Sequence, residues 1–291
     1  MPTPLLLSTF ARELIAARSL PREPEPDLVM ADPEQVAAYA EAGRIDGVMA
    51  ASYLFHTARI SQVIQGCRTV LDLGCGPATQ LAQVAQFNAA TAFTGLDLSP
   101  TMLEDAARHV AALGLTNVGF RHGDVTRLEG IADGSVDAVI STMALHHLPT
   151  LGHLEACFAE IARVLRPGGA VYLTDFGRLK SLKSVIFFAY MNAKHQPHIF
   201  SLDYERSLRA AFLKEEFEST AGRQLPAGVA LVSTFKVPFL VILKTADKPL
   251  PEDLRQRLRA MARALKPRYR RDLTDMRMFF ALGGLRNDPF K

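Results

Sequence analysis

Two clusters in this chain of 291 residues have the residue types and spacing to do chemistry. The first is Val70-Leu71-Asp72-Leu73-Gly74-Cys75-Gly76-Pro77-Ala78, an apolar run that breaks into glycines. Glycine at 74 and 76 permits positive φ and removes the Cβ atoms that would hold a ligand away from main-chain N–H groups. A helix predicted from Thr79 to Phe87 adds a positive N-terminal end. Such a turn suits a nucleotide-like cofactor. The second cluster is His146-His147, because an imidazole with a pKa of about 6.5 can act as a base near neutral pH. His56 is a further candidate base, with His195 and His198 in reserve.

Two aspartates extend the first cluster. Asp97 closes a predicted strand 21 positions after Gly76, where a carboxylate can accept hydrogen bonds from both hydroxyls of a ribose. Asp124, in Gly123-Asp124-Val125, follows the next strand, where its side chain and the next backbone amide can read an adenine edge. Three readings of the loop compete. A dinucleotide fingerprint G-x-G-x-x-G fails at its third glycine, because position 79 is Thr. A tight turn of an ordinary α/β domain would leave each Asp as a cap or turn residue. A different nucleotide-like cofactor accounts for the aspartates together and in this order.

The elements that must position these residues alternate strand and helix, the signature of a parallel sheet covered on both faces. Strands are predicted at Thr69 to Leu73, Ala92 to Leu98, Val118 to His122, Val136 to Ser141 and Ala170 to Asp175. A helix from Met102 to Leu113 places Leu103, Ala106, Ala107, Val110 and Leu113 on one face, and Leu154 to Leu165 has the same spacing. Pro167-Gly168-Gly169 ends that second helix. Val229 to Phe235 and Val237 to Lys244 complete the sheet. The fold class is α/β, a doubly wound Rossmann-like arrangement with a mostly parallel seven-stranded sheet and a helical cap.

Over roughly Val63 to Phe176 the sequence resembles the class I S-adenosylmethionine-dependent methyltransferases. VLDLGCGPA is similar to the family's first motif, GLDLSPTML to its acidic loop, GDV to its adenine motif, STMALHHLP to its fourth-strand motif and LRPGG to the turn before the fifth strand. The resemblance implies that Asp72, Gly74 and Gly76 surround the methionine moiety, Asp97 the ribose, and Asp124 and Val125 the adenine. Ser141 would form the floor near the sulfonium. Cys75, Leu98, Met102 and Tyr53 complete the expected S-adenosylmethionine-binding set. Ala78 departs from the pattern, since the family often has a third glycine there. Methyl transfer needs alignment, exclusion of water and sometimes removal of one proton. His146 is favoured as the base or orienting group and His147 as a capping or packing residue; both serving only as architecture is the alternative.

Substrate choice in such a fold is set by what is added to the sheet. Residues 1–65 read as an N-terminal helical extension, 66–245 as the core with a cap inserted at about 177–225, and 246–291 as a basic helical extension packed on the core. Asp32-Pro33-Glu34 starts a helix reaching about Ala42, and a second runs from Asp46 to Ile64. Met49, Tyr53, His56 and Ile60 share one face of it and point either toward the cofactor mouth or into the core. Ser184 to Ala193 is apolar almost all round and is expected to be buried; with Tyr204, Leu208, Phe212 and Phe217 it forms the cap. An enclosed, mostly apolar pocket favours a small, moderately hydrophobic substrate.

Charge is distributed unevenly. Leu250 to Lys291 carries +6 and the rest of the chain −3. The stripe Leu254, Leu258, Met261 and Leu265 opposes Arg255, Arg259, Arg263 and Lys266, as in a docked surface helix. A membrane surface or RNA phosphates are the less favoured partners of that basic face. Leu273, Met276, Phe279 and Phe280 would pack on the body or on a second subunit. An RNA or protein methyltransferase, or a cofactor-binding protein that transfers nothing, are therefore the alternative functions. Cys67, Cys75 and Cys157 lack metal-type spacing, and no metal is expected; Cys75 reads as a small apolar filler. No apolar run reaches the length of a membrane span, the start from Pro4 to Leu20 lacks the features of a secretion signal, and a cytoplasmic protein is expected.

Overall fold

The computed structural model describes residues 4–26, 42 and 47–291. Its centre is a seven-stranded sheet in the order β3-β2-β1-β4-β5-β7-β6. The strands are β1 (Thr69–Leu73), β2 (Ala92–Asp97), β3 (Val118–His122), β4 (Val136–Thr142), β5 (Leu165–Phe176), β6 (Ala230–Ser233) and β7 (Leu240–Lys244). The first five are parallel, while β7 runs antiparallel between β5 and β6. The strand order reverses between β1 and β4, so the helices that follow them leave on opposite faces. A crevice therefore opens at their carboxyl ends.

The described helices are α1 (Pro4–Ile15), α2 (Ala50–Val63), α3 (Thr79–Phe87), α4 (Pro100–Ala112), α5 (Leu151–Val164), α6 (Leu182–Tyr190), α7 (His198–Ala210), α8 (Lys214–Gln224), α9 (Glu252–Ala264) and α10 (Pro267–Leu282). One apolar layer joins α2, α3, α9 and α10 to one face of the sheet, and a second joins α5 and α8 to the other. Ser99 is the N-cap of α4: its side chain accepts from the Met102 N–H, and Pro100 fills the first turn without an orphan amide. That cap starts the helix two residues before the apolar periodicity does. Among the described residues no helix is long and apolar enough to cross a membrane.

Several expectations need correction. The helix expected over 32–42 lies outside the described residues except for Ala42. Of the 14 residues of α2, 13 are buried, because the helix is enclosed by the sheet, α3, α9 and α10. No single stripe of α2 therefore marks a functional face. The Pro167-Gly168-Gly169 turn lies within the assigned β5: α5 ends at Val164, Val136 pairs with Leu165 and Ala138 with Ala170, so the residues between bulge out. Ala107 of α4 and Leu113, which caps its C-terminal end, are exposed, leaving Met102, Ala106 and Val110 to bury the apolar face of the helix.

The cap also differs from expectation. Helix α6 buries Val185, Phe188 and Ala189 but exposes Leu182 and Ile186. Phe212 and Phe217 belong to the apolar layer under the opposite face of the sheet, leaving Tyr204 and Phe200 of α7 over the crevice. Helix α1 is attached to this region through Glu13, whose buried carboxylate accepts from the Lys180 and Ser181 amides at the start of α6. A carboxylate suits the positive end of a helix. In the C-terminal segment Leu254, Leu258 and Leu265 are buried in the apolar layer shared with α2, and Met261 is partly buried.

Candidate functional site

The crevice at the ends of β1, β2 and β4 is a cavity lined by the glycine loop, Asp97, Asp124, the segment 142–149 and α7. Its floor follows from loop geometry. Gly74 has φ +68°, and a Cβ there would lie 2.4 Å from the Cβ of Ala144. The loop amides turn inward: those of Gly74 and Cys75 donate to the Leu96 carbonyl at 2.8 and 3.1 Å, and that of Gly76 to Asp97 Oδ2 at 2.8 Å. The glycines thus allow close approach by removing Cβ atoms, while three of the amides expected to face a ligand bond within the protein. Ala78, in place of a third glycine, is left-handed at φ 57° and fully buried. This conformation costs an alanine on the order of 1 kcal/mol.

The acidic residues give the cavity its sign. Asp97 Oδ1 accepts from the Ser99 amide at 2.9 Å, so each oxygen is held by one backbone bond and keeps a lone pair for a diol. Asp124 is turned by two 2.8 Å bonds to its Oδ1, from the Thr126 amide and hydroxyl. Asp72 is buried with no partner for Oδ1. Burial, and then the neighbouring Asp97 charge, push its carboxyl well above the usual range. The described lining contains four aspartates and no lysine or arginine. Such a donor set disfavours a pyrophosphate and fits a ligand bearing both a diol and positive charge. S-adenosylmethionine, with a ribose, a sulfonium and an ammonium, meets both conditions.

A further part of the lining is built on the end of β4. Leu145–His147 form one 3-10 turn, and His146 is buried beneath it. Its Nδ1 donates to Asp175 Oδ1 at 2.7 Å and its amide to Asp175 Oδ2 at 3.0 Å. Burial works against the protonated ring, but the Asp175 charge and hydrogen bond prevail and raise its pKa above the usual value. His147 stacks on it with centroids 4.2 Å apart and bonds through Nδ1 to Glu25 Oε2 at 2.5 Å. Arg22 clamps the same turn, donating to the carbonyls of His146, Leu148, Pro149 and Ala210. Aromatic walls come from Phe176, Phe200 and Tyr204.

Most of the predicted residues converge here. Asp72, Gly74, Cys75, Gly76, Asp97, Leu98, Met102, Asp124, Val125, Tyr53, His146 and His147 all line the cavity. Two do not. His56 is buried in the core, its Nδ1 2.8 Å from the Tyr172 hydroxyl. Ser141 is buried behind β1 and donates to the Leu73 carbonyl at 2.8 Å, so it supports the floor without facing the cavity. Cys75 fits its reading as filler: Gly95 leaves room for its sulfur, and burial pushes the thiol far up. The sequence reading missed Asp175 as a site residue, although it is the penultimate residue of β5 as Asp97 is the last of β2. It also missed Glu25, which sits in an extended segment without any periodic signal. Among the described residues Glu25, His146 and His147 have ligand atoms within 4.8 Å of one another. Both rings already spend Nδ1 on a carboxylate.

A family model described as a methyltransferase domain matches residues 70–169. An arsenite methyltransferase of Aquipseudomonas alcaligenes is 30% identical over 167 residues, 55% of this chain and 43% of that protein. A trans-aconitate 2-methyltransferase of Deinococcus radiodurans is 39% identical over 102 residues, 35% of each chain. The chain thus spans less than half the length of these curated relatives. Among solved structures, a plantazolicin methyltransferase in complex with SAH superposes with a TM-score of 0.55 at 15% identity, covering 81% of this chain and 88% of the other. A putative S-adenosyl-L-methionine-dependent methyltransferase of Methanococcus maripaludis gives 0.56 at 18% identity, covering 79% and 98%. At those identities the likeness concerns the fold.

Proposed function

We propose that this chain is a class I S-adenosylmethionine-dependent methyltransferase that methylates a small, moderately hydrophobic molecule at an atom that gives up a proton to His146. The observation that carries this reading is that His146, which lines the same cavity as the glycine loop, is backed by the buried Asp175. When bound, S-adenosylmethionine supplies a methyl group already activated for displacement by its sulfonium. Asp97 would hold the ribose hydroxyls, Asp124 and Val125 the adenine, and Asp72 the positively charged end. Phe176, Phe200 and Tyr204 would cover the acceptor and exclude water, which favours an apolar body. Asp175 keeps His146 with its proton on Nδ1, so that Nε2 is the atom able to accept one. The basic C-terminal segment then serves as packing on α2.

Calorimetric titration with S-adenosylmethionine tests the cofactor assignment, with Asp97→Ala expected to weaken binding at least about tenfold through loss of charge-assisted bonds. A screen for S-adenosylhomocysteine release over small hydroxyl-, amine- and thiol-bearing molecules tests the acceptor class. Failure of the wild type to bind the cofactor would overturn the reading; turnover restricted to RNA or protein acceptors would replace its second half.

A further inference from the structure

A second recess, of about 740 Å3, lies between α2, α9, α10 and the segment that follows α10. At its base is Arg59, only 1% exposed. Its Nη1 donates to neutral acceptors: Gln62 Oε1 at 3.2 Å and the carbonyls of Arg286 and Asn287 at 2.8 and 3.0 Å. Its Nε is buried with no acceptor. The two carboxylates of the recess form ion pairs with other cations, Asp247 with Lys244 at 2.8 Å and Asp288 with Arg277 at 2.6 Å. Burial prevails in making the Arg59 cation costly, and Asp247 and Asp288 offset its charge only in part. Around it the lining holds six basic residues against those two aspartates, the reverse of the cofactor cavity.

We infer that this recess binds a small, multiply charged phosphate anion, with Arg59 at its base and Arg255 and Arg286 at its rim. Guanidinium forks match phosphate oxygens in geometry as well as charge. Arg255 is half-exposed and shares its charge with Glu252 at 2.7 Å, and Arg286 is exposed, so both can turn toward an incoming anion. Lys248 adds a third rim cation, its Nζ resting on the Gln65 carbonyl at 2.7 Å. The recess is concave and bounded by Asp247 and Asp288, which suits a compact phosphoryl group rather than an extended polyanion.

The test is calorimetric titration of the full chain with sodium pyrophosphate at fixed ionic strength. Saturable one-to-one binding is expected, weakened about tenfold or more in the double variant R255A/R286A while S-adenosylmethionine affinity stays unchanged. Arg59→Gln should abolish binding; should that variant fail to fold, the rim pair still decides the matter. The inference is overturned if pyrophosphate binding is not saturable, if the double variant binds as tightly as the wild type, or if citrate binds more tightly than pyrophosphate. Tighter binding of single-stranded oligonucleotides, increasing with their length, would likewise overturn it in favour of a nucleic-acid surface. Because the S-adenosylmethionine readout is separate, failure here leaves the methyltransferase reading untouched.

Discussion

The surroundings of His146 and His56 invite direct comparison. Both imidazoles are almost fully buried, and each has Nδ1 within 2.8 Å of an oxygen. The oxygen of Asp175 is charged and that of Tyr172 is neutral. Burial alone drives His56 down to about 3, with nearby Arg59 adding to the effect, whereas Asp175 reverses the burial penalty at His146. Only His146 borders the cavity. Burial thus decides the case at His56 and is overridden at His146; a histidine becomes useful for proton transfer when a carboxylate backs it and a cavity gives the other nitrogen something to act on.

The largest expected effect follows from that difference. His146→Ala should lower turnover by about 10²-fold or more, with S-adenosylmethionine affinity within about twofold of wild type, whereas His56→Ala should lose stability and keep its turnover per folded molecule. A base must be unprotonated to act, so kcat/KM should rise with pH through an inflection above the ordinary imidazole value. Asp175→Asn should move that inflection downward. An unchanged rate in His146→Ala would remove the base from the mechanism and make the two histidines equivalent.

A smaller effect, in stability, should show the two rings with opposite signs. His56 titrates at about 3 in the fold and about 6.5 when unfolded, so its contribution is complete above about 6.5 and is lost as pH falls toward 3. The slope is about 1.4 kcal/mol per pH unit within that window. His146 is raised, so its contribution is complete below about 6.5 and is lost as pH rises through its folded value. Urea unfolding from pH 4 to 8 checks both: His56→Gln should flatten the acid limb and His146→Gln the alkaline one. A His56→Gln variant that keeps the wild-type acid limb would show that the buried ring is not the cause.

The same contrast marks what could be read from the sequence. The five parallel strands, the glycine loop and its aspartates were legible because strand ends in this topology must converge on one edge. Position along a strand therefore predicted position in space. His56 was misplaced because α2 is enclosed on nearly every side, and helical spacing cannot separate a stripe facing a cavity from one facing a core. Ser141 points back at β1 because successive strand residues alternate faces, and the cavity lies on the turn beyond it. Asp175 could have been found by applying the Asp97 argument to β5. Glu25 and Arg22 could not, since their role depends on an extended segment meeting a turn more than 120 residues away.

That segment supplies the smallest and most discriminating test. Glu25 divides its oxygens between His147 at 2.5 Å and the Ser207 hydroxyl at 2.9 Å. Burial opposes its charge, yet the His147 hydrogen bond and charge prevail and hold the carboxyl at about 2, so it is ionised throughout the working pH range. His147 is a third exposed and His146 almost not at all, so the pair has a wet member and a dry one. If the dry ring is the base, the wet ring serves only to orient the acceptor or the turn. Glu25→Gln, which keeps an acceptor for Nδ1 while removing the charge, should then reduce kcat/KM by about threefold to tenfold, mainly through KM. Ser207→Ala should change it by less than about twofold. A loss in Glu25→Gln as large as that in His146→Ala, carried by kcat, would reverse the assignment, making the exposed ring the base and the buried ring its support.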